Sequence, residues 1–277
     1  HTANRRQRQM CIRDRIYNLH EHYIKAMNLK NKIKNGSTLG TWITIDHPVI
    51  YQSISEYPFD WILIELEHSA IDFSGLHQAI SFFKNTNIGC LVRPPIVDNI
   101  YIKRIMDCGA DGIIAPNISS LEDVNDAVKF MKYPPEGKRG AGLFSAQNFG
   151  NNFDSYYRKN NKESVLVVQI ENCDAVENLN EIITVKHIDA LMIGPYDLTS
   201  SLGIAGEFEN PLFLNEVDKI KNIARDNNIP IGMHIVEPDP KKLIAARNEG
   251  YSFLGYGLDF KFIISHLNSL KDIINEK

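Results

Sequence analysis

From Thr38 onward, short apolar runs alternate with stretches whose apolar residues recur at helical spacing. The runs fall at 39–45, 61–67, 90–93, 112–116, 165–170, 190–193, 230–235 and 253–256, eight in all. Most are unbroken rather than alternating, the pattern of parallel strands covered on both faces. Helical spacing marks 49–57, 72–84, 98–108, 119–131, 175–185, 211–227 and 238–249, and 260–274 closes the chain. Asp72, Asp98 and Ser119 stand where N-caps belong. Eight strand–helix units without internal repetition predict an α/β fold, a (β/α)8 barrel of the TIM type, over an open doubly wound sheet.

One connection departs from the rhythm. Residues 132–163 open with YPPEGKRGAG, whose prolines and glycines stop a helix, and a segment this long is expected to be ordered over the barrel or at a subunit contact. No domain boundary is needed after residue 36. The opening HTANRRQRQMCIRDR is basic and unpatterned. It reads as a non-native or non-folded extension, with a basic arm as the competing reading, so 1–26 is set apart from a single barrel domain at 27–277.

Composition narrows the function. The net charge is −4 with scattered basic residues, so neither nucleic acid nor an anionic membrane is expected as a partner. Cys11, Cys90, Cys108 and Cys173 form no CxxC pair and read as reduced thiols. No apolar run is long enough to span a membrane and no signal-peptide segment stands at the N-terminus, which places the expected protein in the cytoplasm.

Active sites of such barrels form where the strands end. The fifth and sixth runs lead to carboxylates, Glu171 and Asp197, and two acids converging from neighbouring strands suit a hard divalent cation that keeps positions open for substrate. A capping acid and a solvated turn acid are the alternative. The second run ends in Glu65-Leu66-Glu67-His68, the third in Arg93 and the fifth includes Gln169. Singly, His68 could cap a helix, Arg93 could pair with a neighbouring acid and Gln169 could lie on the surface. Together they suit 2-oxo acid chemistry: a cation polarises the keto group, Arg93 stabilises the enolate oxygen and His68 moves protons. The strand candidates contain no lysine for a Schiff base.

The segments WILIELEHSAID, LVRPP, IKRIMDCGADGIIAP, KYPPEGKRGAG, VLVVQIEN and LMIGPYDLTSSLG, in this order and spacing, resemble the HpcH/HpaI aldolases, metal-dependent class II pyruvate aldolases. The resemblance runs from about Met27 to the C-terminus. It implies metal ligands at Glu171 and Asp197, with Mg²⁺, Mn²⁺ or Co²⁺ as the ion. It implies an enolate-stabilising Arg93, a proton-transferring His68, and substrate contacts from Arg93, Gln169, Tyr196 and Asp197. Asp107, otherwise a helix-end acid, matches an aspartate delivered to a neighbouring subunit's histidine. The last helix would be exchanged with a partner in a homo-oligomer, commonly a hexamer built as a trimer of dimers.

The implied reaction is reversible cleavage of a 4-hydroxy-2-oxo acid to pyruvate and an aldehyde through a metal-bound pyruvate enolate. An oxaloacetate decarboxylase using the same site and a non-catalytic barrel are the rivals. Three departures from the family pattern bear on the aldehyde: Glu65 in place of the usual aspartate, Asn117 where an apolar residue is usual, and no basic residue around Ser145-Ala146-Gln147.

Overall fold

A computed structural model describes residues 28–275. The extension assigned to 1–26, including Cys11, lies outside the described residues. Eight parallel strands close in sequence order, each hydrogen-bonded to the next and β8 to β1, so the predicted barrel is present. The strands are β1 Thr38–Ile43, β2 Trp61–Glu65, β3 Gly89–Arg93, β4 Gly112–Ala115, β5 Val165–Ile170, β6 Ala190–Ile193, β7 Ile231–Ile235 and β8 Phe253–Leu258.

A short helix, α1 (Leu29–Asn35), precedes the barrel. The outer ring contains α2 Pro48–Ser55, α3 Phe73–Phe83, α4 Asn99–Cys108, α5 Leu121–Met131, the pair α7 Cys173–Glu177 and α8 Leu179–Ile182, α9 Pro195–Ser201, α10 Pro211–Asp226 and α11 Pro240–Asn248. The chain ends in α12, Asp259–Asn275.

Two cores result. The larger lies between the sheet and the helices, where residues such as Ile64, Leu76, Ile105, Val128 and Val168 pack. The other fills the barrel with Trp42, Trp61, Leu63, Val167, Met192 and Phe253, and Leu29 and Ile33 of α1 press into its lower end. Asp72 and Asp98 cap α3 and α4 as expected, each accepting from two backbone N–H groups. The cap of α5 is Ser120 rather than Ser119: Ser120 and Asp123 form a reciprocal capping box, and Ser119 donates to the same Asp123 carboxylate. The stretch expected as one helix at 175–185 is broken at Asn178, the C-cap of α7.

The long connection after α5 holds an element that the proline-rich opening hid, helix α6 (Phe153–Glu163), preceded by a 3-10 turn at Ser145–Gln147. Joining the end of a helix to the start of a strand, it lies at the N-terminal end of the barrel, away from the catalytic rim expected for this fold. Its anchor is Arg139, whose fully buried guanidinium donates to Asp107 at 2.5 Å and to Tyr156 and Asn160 at 3.2 Å. Nearby, Lys30 donates to Asp189 at 2.8 Å and to the Ser164 carbonyl at 3.1 Å, and Lys132 donates to the Ser164 hydroxyl at 2.7 Å. Lys30 and Arg139 are thus buried with acid partners at that end of the barrel, and Lys132 with neutral acceptors. The other end stays open.

Candidate active site

Strand ends at the open rim converge on a cavity of about 350 Å³ lined by Glu65, His68, Arg93, Gln169, Tyr196 and Asp197, among others. The β2–β3 register sets Glu65 beside Arg93. Glu65, 1% exposed, receives Arg93 Nε at 2.7 Å and one terminal nitrogen at 2.6 Å on a single carboxylate oxygen. Its other oxygen accepts from the backbone N–H groups of Glu67 at 2.7 Å and His68 at 3.1 Å. One side chain thus holds both the arginine and the turn that presents the histidine. The acid-pairing alternative for Arg93 and its place at the site are both realised. Burial works against the Arg93 charge, but Glu65, then Glu67 and Glu171, more than compensate and raise its pKa further.

Gln169 and Glu171 leave β5 at the same rim. Gln169 is buried rather than a surface amide, and its Nε2 donates to Glu171. Glu171 is 4% exposed and also accepts from the Asn117 N–H at 2.6 Å. Burial pushes its carboxyl up to about 7; the Asn117 bond opposes this, and the charges of Asp197 and Glu67 add to it. Glu171 and Asp197 therefore face each other's fields at one rim. The backbone makes room for this: a Cβ on Gly194 would lie 2.7 Å from the Glu171 Cβ and 2.9 Å from its carboxylate. Asp197 stands one turn beyond β6, in the first turn of α9.

Asn117 has a part that its sequence position only hinted at. It adopts φ +53°, a left-handed conformation that asparagine tolerates better than most residues. There its N–H meets Glu171 while its side-chain amide donates to Glu67 at 2.8 Å, linking two carboxylates. Burial raises the pKa of Glu67 too, with Arg93 and His68 opposing. His68 is largely exposed at the mouth, its Nε2 3.9 Å from Glu67.

The oxygen-rich patch is suited to a divalent ion. Glu171 is a buried carboxylate facing further negative charge, and Gln169 Oε1 is a buried acceptor without a protein hydrogen bond, whereas Glu67 Oε2 lies 3.2 Å from Arg93 Nε as an ion pair. Among the described residues no group of three or more histidines, cysteines or acids is gathered as a complete ligand cage. Two carboxylates, Glu171 and Asp197, are the acids at this rim that a hard cation could use.

Asp107 is not brought to this cavity within the chain. It ends α4, bound to Arg139, on another part of the surface. The sequence reading also missed His234 on β7 and Trp42 on β1, which line the same cavity. Their signal was faint, a histidine inside the apolar run IGMHI and a tryptophan inside TLGTWI.

The fold and the rim define a single (β/α)8 barrel whose strand ends gather carboxylates, an arginine, a histidine and an amide around one cavity. The chain belongs to the HpcH/HpaI aldolase/citrate lyase family, whose model matches residues 38–266. It is 29% identical over 239 residues to a hydroxypyruvate/pyruvate aldolase of Roseobacter denitrificans, covering 85% of this chain and 92% of that one. A 2-dehydro-3,6-dideoxy-6-sulfogluconate aldolase of Pseudomonas putida is 29% identical over 238 residues, covering 86% and 92%. Among solved structures, an HpcH/HpaI aldolase from Desulfitobacterium hafniense superposes with a TM-score of 0.83 at 29% identity, covering 91% of this chain and 98% of that one. Among the described residues, no helix is long and apolar enough to cross a membrane.

Proposed function

We propose that this protein is a divalent-metal-dependent aldolase that interconverts a 4-hydroxy-2-oxo acid with a pyruvate-type 2-oxo acid and an aldehyde. The observation that carries the reading is the buried Glu171, held by Asn117 and Gln169 at the rim where Asp197 and the Glu65-held Arg93 line one cavity. Named relatives that are aldolases support it.

Glu171 and Asp197 would hold the ion. When bound, it supplies Lewis acidity toward the keto oxygen of the 2-oxo acid. Arg93 contributes a fixed positive charge: Glu65 occupies Nε and one terminal nitrogen, and the other terminal nitrogen has no protein partner among the described residues and is available to an enolate oxygen. In the synthetic direction the substrate methyl group loses a proton and its carbon adds to the aldehyde carbon. The alkoxide so formed takes a proton. His68, exposed at the mouth, exchanges these protons with water or substrate. The direct test is pyruvate release from a 4-hydroxy-2-oxo acid, together with exchange of pyruvate methyl protons. Both should stop on chelation with EDTA and return with Mn²⁺ or Mg²⁺; turnover indifferent to chelation refutes the reading.

The proposal extends to a homo-oligomer. Every residue from Ile263 to Lys271 of α12 is exposed, including the apolar stripe Ile263, Ile264, Leu267 and Leu270. A lone helix with such a stripe gains little in water and calls for a partner. An apolar groove of about 590 Å³ between α2 and the start of α12, lined by Ile50, Ile54, Tyr57 and Phe59, suits the helix of a second subunit. Deleting residues 263–277 should yield monomers by sedimentation with the barrel's circular dichroism kept; an unchanged oligomer refutes the exchange.

Asp107 would then serve the partner's His68. Asp107→Ala is expected to slow methyl-proton exchange about 10–100-fold while leaving divalent-ion affinity intact. Unaltered exchange kinetics refute that role.

A further inference from the structure

The carboxylates, Arg93 and Gln169 account for one side of the cavity. The side formed by β7, β8 and β1 is built differently: Trp42, Val236, Leu258 and Phe260 make it mostly apolar, Thr44 commits its hydroxyl proton to Asp259 at 2.6 Å, and His234 is set among them. The imidazole stacks on Trp42 with ring centroids 3.8 Å apart and planes 6° from parallel. The slot that holds both rings depends on Gly255, where a Cβ would lie 2.3 Å from Trp42 Cζ3 and 3.2 Å from His234 Cδ2. A larger residue there would drive the pair apart.

The hydrogen bonding of the ring determines which nitrogen faces the cavity as an acceptor. His234 Nε2 lies 3.0 Å from the Gly257 carbonyl oxygen, which can only accept, so Nε2 carries the proton and Nδ1 the lone pair. No protein donor among the described residues reaches Nδ1. Nor is Nδ1 among the buried polar atoms sealed off without a partner, so it borders the open space. Burial foremost, opposed by the Gly257 bond and reinforced by the Arg93 charge, lowers the ring's pKa to about 4, and at neutral pH the lone pair is free.

An acceptor aimed from an apolar wall distinguishes between ligands. A hydrocarbon group placed against it displaces water and leaves the lone pair unmatched, whereas a hydroxyl group satisfies it.

We propose that His234 is a specificity-determining residue that accepts a hydrogen bond at Nδ1 from a hydroxyl group of the substrate. The proposal rests on the aldolase reading above. The hydroxyl can belong to the 2-oxo acid, as in hydroxypyruvate against pyruvate, or to the aldehyde, as in glycolaldehyde against acetaldehyde. The two sources share one chemistry and are separated by experiment.

The full chain, loaded with Mn²⁺, would be assayed for kcat/KM on both pairs, with the second substrate held constant, for the unaltered protein, His234→Leu and His234→Asn. Loss of the acceptor should reduce the preference for the hydroxylated member of one pair about 5- to 100-fold in His234→Leu, the size expected for an unmatched polar contact. His234→Asn returns an oxygen acceptor near the place of Nδ1 and should regain part of that preference. It also serves as the test should His234→Leu fail to fold. Equal ratios in all three proteins overturn the proposal, and so does a uniform loss of rate at constant ratio, which marks a merely structural ring. Absence of metal-dependent methyl-proton exchange in the unaltered protein is a separate result: it overturns the aldolase reading, and the role of His234 with it.

Discussion

Glu171→Gln is expected to abolish divalent-ion binding and turnover while leaving the barrel folded. The substitution keeps the side chain's size and the acceptor that meets the Asn117 N–H, and removes one negative charge from a buried position that faces Asp197 and Glu67. Without a cation those charges repel, and relieving that repulsion offsets the loss of the Gln169 Nε2 hydrogen bond, which a glutamine that still meets the Asn117 N–H cannot accept. Its Tm is expected to hold within a few degrees, each net kcal/mol moving it by about 2–4 °C. Ion affinity should fall at least about 100-fold and turnover about 1000-fold. Calorimetric titration with Mn²⁺, thermal melts with and without the ion, and pyruvate release check these together. Retention of tight ion binding, or collapse of the apo fold, shows Glu171 to be a structural acid.

Arg93 combines stability and chemistry in one side chain, and its substitutions should separate the two. Arg93→Ala leaves Glu65 buried with only two backbone donors, and stranding such a charge costs about 3–5 kcal/mol. Arg93→Lys returns a charge but not the planar group that can bind Glu65 through two nitrogens and a substrate oxygen through a third. Its turnover is expected to fall about 100- to 1000-fold with a smaller stability loss. Glu65→Gln combined with Arg93→Met removes both charges and should recover most of the stability lost in Arg93→Ala, with no recovery of turnover. Urea denaturation and steady-state kinetics on the same preparations decide it. Substantial turnover in the double variant excludes Arg93 from the chemistry.

The methylene that distinguishes Glu65 from the family's usual aspartate has a visible use. The longer acid is fully engaged, one oxygen on Arg93 and the other on the backbone that leads to His68. Asn117 likewise joins Glu67 to Glu171 from a left-handed turn. Both departures strengthen ties among groups already at the rim. The polarity that bears on substrate choice lies instead across the cavity at His234, where the apolar pattern of β7 concealed it.

Local pattern alone was enough for the eight strands, most helix limits and the rim positions of His68, Arg93, Gln169 and Glu171. Unbroken apolar runs and capping residues act over a few neighbours, and a barrel of known direction converts strand ends into a site. The breaks came where several groups compete for the same atoms, near or far along the chain. Asp123 is shared by Ser119 and Ser120, which moved a cap, and buried Arg139 gathers Asp107, Tyr156 and Asn160 around a helix that no local signal announced. Which carboxylate holds Arg93, which backbone N–H meets Glu171 and which ring lies on Trp42 depend on strand register and closure. Such contacts join residues far apart along the chain, and only the closed cylinder brings them within hydrogen-bonding distance.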